Sequence, residues 1–232
     1  RGSMTQDWAD VCLQSLADGN DSQSQSKTDN VAAEVLSLIY GTYDSVSCCL
    51  FWCMTQAAAH PQWLQRVKAL SDKEEREAHL QAFVMEVFRL YPPNPIAKGF
   101  VQVATQIGGY AVPAQTGISS VGWISNRSKE VWGEDALEFN PLRFLHEGKQ
   151  SFKKVVAVQG SWRIALATQT AALLGHWFLD VLVEHYGVVP LNKDGEATST
   201  ILPVPDPVVA GSIRPADEVL LGICTLPGVK CN

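Results

Sequence analysis

The stretch Glu86-Val87-Phe88-Arg89-Leu90-Tyr91-Pro92-Pro93 decides the fold of this chain of 232 residues. Glu86 and Arg89 lie three positions apart, so a helix places them on one face, where they can pair and share a third partner. Tyr91-Pro92-Pro93 then ends the helix, because proline has no backbone N–H to donate and restricts the residue before it. The stretch therefore predicts a helix that delivers an ion pair to a fixed point just before the chain turns.

Helices are predicted on both sides of this stretch. Residues 31–59 carry only two charged side chains, one of them Asp44, and predict a long helix that runs through a core. Asp29 or Asn30 is expected to cap the start of this helix, and His60-Pro61 to end it. Further helices are predicted at 61–90, 119–127 and 161–186, the last one stopped by Gly187.

Short β-like runs and one charged run complete the pattern. Strands are predicted at 100–107, 110–113 and 218–226, with Gly108-Gly109 as the turn of a hairpin. The charged run at 72–77 is expected to be a solvated helix face. Together these elements predict a mainly helical chain with small sheets.

Composition predicts a globular chain with an acidic surface. Hydrophobic residues make up 46% and charged residues 18%, and the net charge is −6, so the chain can bury a sizeable core. A nucleic-acid binder needs a basic face. The net negative charge of this chain therefore argues against nucleic acid as a partner. A membrane span at 31–59 is the rival to a core helix, but Asp44 near its middle would cost ~2.5–3.5 kcal/mol in lipid.

The cysteines do not predict a metal site. They stand at positions 12, 48, 49, 53, 224 and 231, without the clustered Cys and His spacing that zinc needs. Cys48 and Cys49 are expected to be small core residues, and Cys49 and Cys53 can share a helix face. No secretory signal is present at the first residues, so we expect a cytoplasmic protein without a membrane anchor.

Residues 1–30 are expected to stand apart from a single domain at 31–232. Arg1-Gly2-Ser3, before Met4, resembles the remnant of an expression tag. The rest of this N-terminal segment is polar and acidic, and Gly19–Asp29 predicts a flexible linker.

The motifs that follow the opening stretch carry a family resemblance. They are Gly108–Thr116 (GGYAVPAQT), Asn126-Arg127 and Glu130–Phe144 (EVWGEDALEFNPLRF). In this order and spacing, with Glu86-x-x-Arg89 ahead of them, they resemble the C-terminal half of the cytochrome P450 family, the haem-thiolate monooxygenases. The resemblance covers roughly residues 31–226 and points chiefly to fungal members through the segment 210–221.

The resemblance implies a mainly α fold with small β-sheets, the C-terminal half of a cytochrome P450-like fold. Glu86 and Arg89 match the family's helix motif, and Arg143 matches the third member of its Glu-Arg-Arg network, which implies a structural role for all three. Residues 31–59 match the family's long central helix. Within it, Gly41–Ser45 (GTYDS) resembles the family signature that ends in an acid and an alcohol.

The haem-binding loop of this resemblance is degenerate. The family needs F-x-x-G-x-R-x-C-x-G, in which the Cys ligates the haem iron. Aligned on Arg163, the Phe, first Gly, Cys and last Gly positions hold Val158, Ser161, Ala165 and Ala167. No Cys occurs anywhere between positions 54 and 223. We therefore expect no haem, no other cofactor and no metal.

The family's N-terminal half has no counterpart in this sequence. The central helix would then expose an apolar face, and large exposed apolar patches are rare on soluble monomers. Three ways of covering this apolar face are possible. A second copy would give the homodimer that we expect, a different chain could bind, or the polar N-terminal residues could fold back.

The central helix supplies the candidate catalytic residues Tyr43, Asp44 and Ser45. A carboxyl in an apolar helix can have a raised pKa and donate a proton or a hydrogen bond. The alternative is that Asp44 and Ser45 stabilise a helix distortion beside Gly41. The candidate substrate-binding residues are Tyr40, Trp123, Trp162 and Arg163. The aromatic residues could equally be core, as Trp52 and Trp177 could, and Arg163 could be a relic of a haem-propionate contact.

The family's oxygen-activating reaction needs the haem iron and its thiolate ligand, so the resemblance does not imply that reaction for this chain. We expect a haem-independent enzyme of secondary metabolism that acts on an apolar terpenoid or polyketide. It would catalyse a cyclisation, an isomerisation or a Diels–Alder-type reaction by preorganisation and hydrogen bonding. The alternative is a non-catalytic protein that binds or stabilises a partner monooxygenase. A degenerate fragment is the third possibility.

Overall fold

A computed structural model describes residues 24–146, 154–155, 162–192, 194–197, 207–210, 212–215 and 219–225. The helices are α1 Ser24–Ala59, α2 Pro61–Lys68, α3 Lys73–Leu90, α4 Gly122–Ser125, α5 Lys129–Trp132, α6 Leu142–His146 and α7 Trp162–His185. The strands are β1 Ile96–Phe100, β2 Thr105–Ile107, β3 Tyr110–Val112, β4 Gly117–Val121, β5 Tyr186–Pro190, β6 Pro207–Ala210, β7 Ser212–Pro215 and β8 Leu221–Thr225. The described part is thus mainly helical, as predicted.

Helix α1 is longer than predicted. It begins at Ser24 and runs without interruption for 36 residues, so Asp29 and Asn30 lie inside the helix. The predicted cap at these residues and the predicted linker over 24–29 are therefore wrong. The residues from Ser24 to Asn30 include neither Gly nor Pro, so nothing in them forces the helix to start later. The predicted end before His60-Pro61 is confirmed.

Helices α1 and α7 form the most extensive helix pair of the described residues. Their closest approach is at Gly175, where an added Cβ would lie 2.8 Å from the Sγ of Cys49. The thiol of Cys49 also lies 3.4 Å from the carbonyl oxygen of Ala171, to which it donates. The prediction that Cys48 and Cys49 are small core residues is confirmed, since both are buried. A small residue on each helix lets the two backbones come close.

Helix α3 packs against this pair. Asp72 caps its start by accepting a hydrogen bond from the Glu75 N–H at 2.8 Å, and Tyr91 ends it as predicted. The prediction of a solvated face at 72–77 is wrong for Arg76, whose side chain is only 16% exposed. Arg76 donates to Asp180 at 2.8 Å and also pairs with Glu184. These ion pairs hold the start of α3 against the end of α7.

The sheets are small, antiparallel and two-stranded among the described residues. Strands β2 and β3 form the predicted hairpin, in which Gly108 and Gly109 adopt the positive φ values of 58° and 86° that a tight turn requires. Residues 117–121 form β4 and pair with β1. The helix predicted over 119–127 is therefore confirmed only at α4, because the residues before Gly122 are held in extended pairing.

One described helix is long and apolar enough to cross a membrane by length and composition alone. It is Leu166–His185 within α7, with a mean hydropathy of 1.3 and 39% of the segment buried. The same helix packs against α1, and a core helix of a soluble protein passes this test equally well. It is thus a weak indication, and the expected absence of a membrane anchor stays a prediction.

A pH dependence of stability arises at His60, which precedes α2. Its ring stacks on Phe139 at 4.8 Å between centroids, and burial lowers the pKa of His60 below its ordinary value of 6.5. The unfolded chain therefore binds the proton more readily than the folded protein does. Stability from this group is present above about pH 6.5 and is lost as the pH falls through the lower folded value.

We expect His60→Gln to flatten the loss of stability on acidification. The measurement is the urea midpoint at about pH 7.5 and about pH 5.5, on either side of the ordinary value for the unfolded chain. His185→Gln is the matched control, since His185 lies at the exposed end of α7. Equal pH slopes for wild type and His60→Gln would contradict this assignment.

Candidate functional site

The best-defined polar cluster is built on α3 and contains the predicted network. Glu86 and Arg89 are fully buried. Two guanidinium nitrogens of Arg89 donate to the two carboxylate oxygens of Glu86 at 2.7 and 2.8 Å. Arg143 of α6 donates from Nε to Glu86 Oε1 at 3.1 Å. The structure therefore brings together all three residues of the network, and the two arginines share one carboxylate.

Arg89 also fixes the segment between α4 and α6. Its guanidinium donates to the backbone carbonyls of Asn126 at 2.7 Å, Ala136 at 2.6 Å and Glu138 at 3.0 Å. Carbonyls from separate turns thus converge on one buried cation. This arrangement satisfies the charge of Arg89, and it holds the irregular segment in place rather than exposing a reactive group.

Arg143 completes the cluster through Asp135. Its Nη2 donates to the Asp135 carboxylate at 3.0 Å. A hydrogen bond from Asn140, together with the Arg143 contact, holds the pKa of Asp135 below its ordinary value. The backbone N–H of Asn140 also donates to Glu86 Oε1 at 2.8 Å. The cluster has the properties of a structural brace, since its central members are buried and mutually paired.

The predicted catalytic residues lie elsewhere, just past the middle of α1. Tyr43 is 69% exposed, Asp44 is half-buried and Ser45 is buried. The hydroxyl of Ser45 donates to the Gly41 carbonyl at 3.1 Å, one helical turn back. Consecutive residues point about 100° apart around a helix, so these three side chains do not converge on one point. Helix α1 is continuous through Gly41, and the alternative role of Asp44 and Ser45, to stabilise the helix beside Gly41, stays a prediction.

Tyr40 and Tyr43 instead belong to an exposed strip that we name the α1 face. Its members share helical spacing and high exposure: Leu36 at 66%, Ile39 at 60%, Tyr40 at 80% and Tyr43 at 69%. No described element covers this strip. The notion that Tyr40 is a core residue is therefore wrong, and it is also wrong for Trp177 on α7, which is 57% exposed.

The other predicted binding residues are not part of the α1 face. Trp123 of α4 stacks under the guanidinium of Arg127, 3.1 Å from its ring centroid, and burial lowers the pKa of Arg127 to about 10. Arg127 also lies over Tyr91 at 5.6 Å. Trp162 and Arg163 begin α7, but their side chains lie outside the described structure.

One cavity was not foreseen from the sequence. It has a volume of about 360 Å³ and lies between α3 and α7, lined by Glu77, Gln81, Val84, Met85, Ala172, Leu173 and His176. None of the predicted site residues lines it. No local pattern in the sequence indicates this cavity, because it depends on how α3 and α7 pack against each other.

The described residues do not fit the haem-thiolate group that the resemblance implies. Cys48, Cys49 and Cys53 are buried in the core, and the Sγ atoms of Cys49 and Cys53 lie 3.9 Å apart. Cys49 and Cys53 are 0% exposed, so neither sulfur faces an open space in which a haem iron could be bound. Cys224 lies on β8, where its thiol donates to the Gly187 carbonyl at 3.6 Å.

The described residues also hold no cluster of three or more His, Cys, Asp or Glu side chains that could bind a metal ion. Residues 156–161, in the loop that aligns with the family's haem-binding motif, lie outside the described residues.

Comparison with known proteins gives a consistent result. The family profile described as Cytochrome P450 matches residues 2–159. Secologanin synthase 1 of Catharanthus roseus is 29% identical over 200 residues, which is 80% of this chain and 38% of that protein. Methyltetrahydroprotoberberine 14-monooxygenase of Papaver somniferum is 26% identical over 205 residues, or 81% of this chain and 39% of that protein. The chain therefore spans about two fifths of these relatives' length.

Solved structures agree on the fold. The retinoic acid-bound cyanobacterial CYP120A1 superposes with a TM-score of 0.64 at 19% identity, over 79% of this chain and 43% of that one. A 6-coordinated cytochrome P450 from Thermus thermophilus gives a TM-score of 0.59 at 22% identity, over 75% of this chain and 43% of that one. The predicted fold class is confirmed. The predicted fungal origin and absence of haem stay predictions, and the two relatives named above are plant proteins.

Proposed function

The chain belongs to the cytochrome P450 family, and from that membership we propose that it is a haem-independent enzyme that binds an apolar small molecule on the α1 face. The reaction class is a cyclisation, an isomerisation or a Diels–Alder-type reaction of a terpenoid or polyketide. Such reactions rearrange the bonds of one substrate and need no oxidant or reductant. Haem has no part in this reaction, because the described cysteines of α1 are buried in the core and do not fit a thiolate ligand.

The observation that carries the proposal is the chemistry of the α1 face. Leu36 and Ile39 offer apolar surface for a hydrocarbon chain, and they stand beside two phenol hydroxyls. Tyr43 is the residue that would donate a hydrogen bond to a carbonyl of the substrate and so withdraw electrons from the adjoining double bond. Holding the reacting ends together can remove ~7–11 kcal/mol of the barrier in favourable cases.

A second surface has to close over the α1 face before a substrate is held on both sides. A second copy of this chain is the cover that we propose, as the sequence led us to expect. Stable protein interfaces bury about 800 Å² per partner, and exposed apolar side chains at one-turn spacing favour this kind of contact. Relatives named for small organic molecules, 7-ethoxycoumarin among them, support the ligand size class.

The second candidate is a non-catalytic protein whose α1 face binds a partner monooxygenase. The specific observation in its favour is that the face is open, with Tyr40 at 80% and Leu36 at 66% exposure. Open apolar strips are more typical of protein interfaces than of preorganised active sites. The relatives named above are more than twice as long as the matched part of this chain. A partner of that size would supply further surface that could pack against the α1 face.

The test of the proposed enzyme is turnover without reductant. Purified protein is incubated with polyene aldehydes and enones of terpenoid and polyketide type, and product is measured by mass spectrometry. We expect Tyr43→Phe to lower the rate about 100- to 1,000-fold, the effect of removing one aligned donor. Tyr110→Phe is the matched control, because Tyr110 of β3 is also highly exposed but lies on the hairpin.

Two results would overturn the proposal. A Soret band in the absorption spectrum of the purified protein would show bound haem. Absence of turnover, together with a stable complex between this chain and a full-length family member, would establish the second candidate instead. A molar mass of 25.3 kDa by light scattering, which is that of the monomer, would contradict the proposed homodimer.

A further inference from the structure

We propose that the cavity between α3 and α7 binds a small organic cation with an apolar body. Its volume of about 360 Å³ falls in the range of roughly 300–1,000 Å³ that is typical of small-molecule sites. This site is separate from the α1 face and does not depend on the function proposed for that face.

The walls of the cavity suit an apolar body. Val84 and Met85 of α3 are 2% and 8% exposed, so they form a floor that belongs to the packed core. Ala172 and Leu173 of α7 form the opposite wall. A hydrocarbon or aromatic ring placed between them would remove apolar surface from water, which is worth about 25 cal/mol per Å².

The cavity lies where α7 presents the small side chain of Ala172 to α3. A larger side chain at Ala172 would fill this space. Arg76 then holds the two helices at a fixed separation by pairing with Asp180 at 2.8 Å. The space is therefore defined by the backbone and by a fixed ion pair.

The charge at the mouth favours a cation. Among the described residues that line the cavity, Glu77 is the one with a full charge, and none is a lysine or an arginine. The neighbouring cation Arg76 is neutralised by Asp180 and Glu184. Lys73 lies 3.7 Å from Glu77, but their side chains are 87% and 55% exposed, so this pair is weak and can be displaced. An ammonium group at the mouth would meet a carboxylate and the His176 ring.

The test compares three probes of the same shape and different charge. These are 1-naphthylmethylammonium, 1-naphthalenemethanol and 1-naphthoate, titrated into the full chain by calorimetry. We expect the cation to bind most tightly, the alcohol more weakly and the anion least. Glu77→Gln should weaken the cation about 2- to 5-fold, the effect of one exposed charge pair, and leave the alcohol unchanged. Glu130→Gln is the matched control, because Glu130 of α5 is also an exposed carboxylate and does not line the cavity.

Two further variants locate the site. Ala172→Phe fills the cavity and should abolish binding of all three probes, with circular dichroism confirming that the variant folds. Glu77→Lys changes only an exposed position and should reverse the order, so that the anion binds better than the cation. Equal binding of the three probes, no binding of any, or an unchanged order in Glu77→Lys would each overturn the proposal.

Discussion

Replacing Glu86 with Gln should lower the free energy of unfolding by about 3–5 kcal/mol, the cost of removing one partner from a buried ion pair. Glu86 and Arg89 are both fully buried, and Arg143 is nearly so. The substitution keeps the shape of the side chain but leaves two guanidinium groups without their shared carboxylate. For a chain of this size the loss corresponds to about 6–20 °C in melting temperature.

The measurement is thermal and urea unfolding followed by circular dichroism. Glu134→Gln is the matched control, because Glu134 also pairs with a cation, Lys129 at 2.6 Å, but both side chains are exposed. We expect no measurable change in this control, since exposed ion pairs contribute little. Similar losses in Glu86→Gln and Glu134→Gln would show that the buried network is not what stabilises the fold.

Gly175→Val should destabilise the protein by about 1–3 kcal/mol, the usual cost of overpacking a well-packed core. A Cβ at this position would lie 2.8 Å from Cys49 Sγ and 3.5 Å from Val84. Helices α1 and α7 would then have to separate, or Cys49 would have to leave its contact with the Ala171 carbonyl. The measurement is again the free energy of unfolding in urea.

A double-mutant cycle identifies the cause of this loss. Adding Cys49→Ala removes the sulfur that the new side chain meets, so the double variant should regain part of the lost stability. We expect a coupling of about 1 kcal/mol or more between the two positions. Gly41→Ala is the control, since no atom lies within 4 Å of a Cβ there, and it should gain about 0.5–1 kcal/mol from helix propensity. Zero coupling would remove the close helix contact as the explanation.

Local patterns predicted the elements whose determinants lie close together in the chain. The pairing of Glu86 with Arg89 follows from helical spacing, and the hairpin follows from Gly108-Gly109. The start of α1 was missed because Asp29 and Asn30 are good caps that are also tolerated inside a helix. A cap is used only when the residues before it leave the helix, and at Ser24–Lys27 they do not.

Contacts between distant segments could not be predicted from the same patterns. Arg76 belongs to a charged run that is typical of a solvated face, and its partner Asp180 is 104 residues away. The cavity between α3 and α7 depends on the angle at which these helices cross, which no local spacing determines. For this reason the sequence pointed to Asp44 and gave no indication of the cavity that Glu77 and His176 line.

The resemblance predicted that the central helix would expose an apolar face, but it did not predict which residues would form the α1 face. An apolar helix segment shows that some surface will be buried, but it does not show which side has a neighbour. Cys49 and Trp52 face α7 and the core, whereas Tyr40 and Tyr43, on earlier turns, are exposed and meet no described element that covers them. The assignment of Tyr43, Asp44 and Ser45 as catalytic therefore stays a prediction, and turnover experiments are what test it.

The contact between α1 and α7 also sets an order of events during synthesis. Glu86 and Arg143 lie 57 residues apart in the chain. Cys49 can contact Ala171 only after a further 122 residues have been synthesised. At about 5–20 residues per second on a ribosome, that wait lasts roughly 6–24 s. During this interval α1 has apolar side chains on two sides and no α7 to cover one of them. We therefore expect that shielding α1 during this interval favours correct folding.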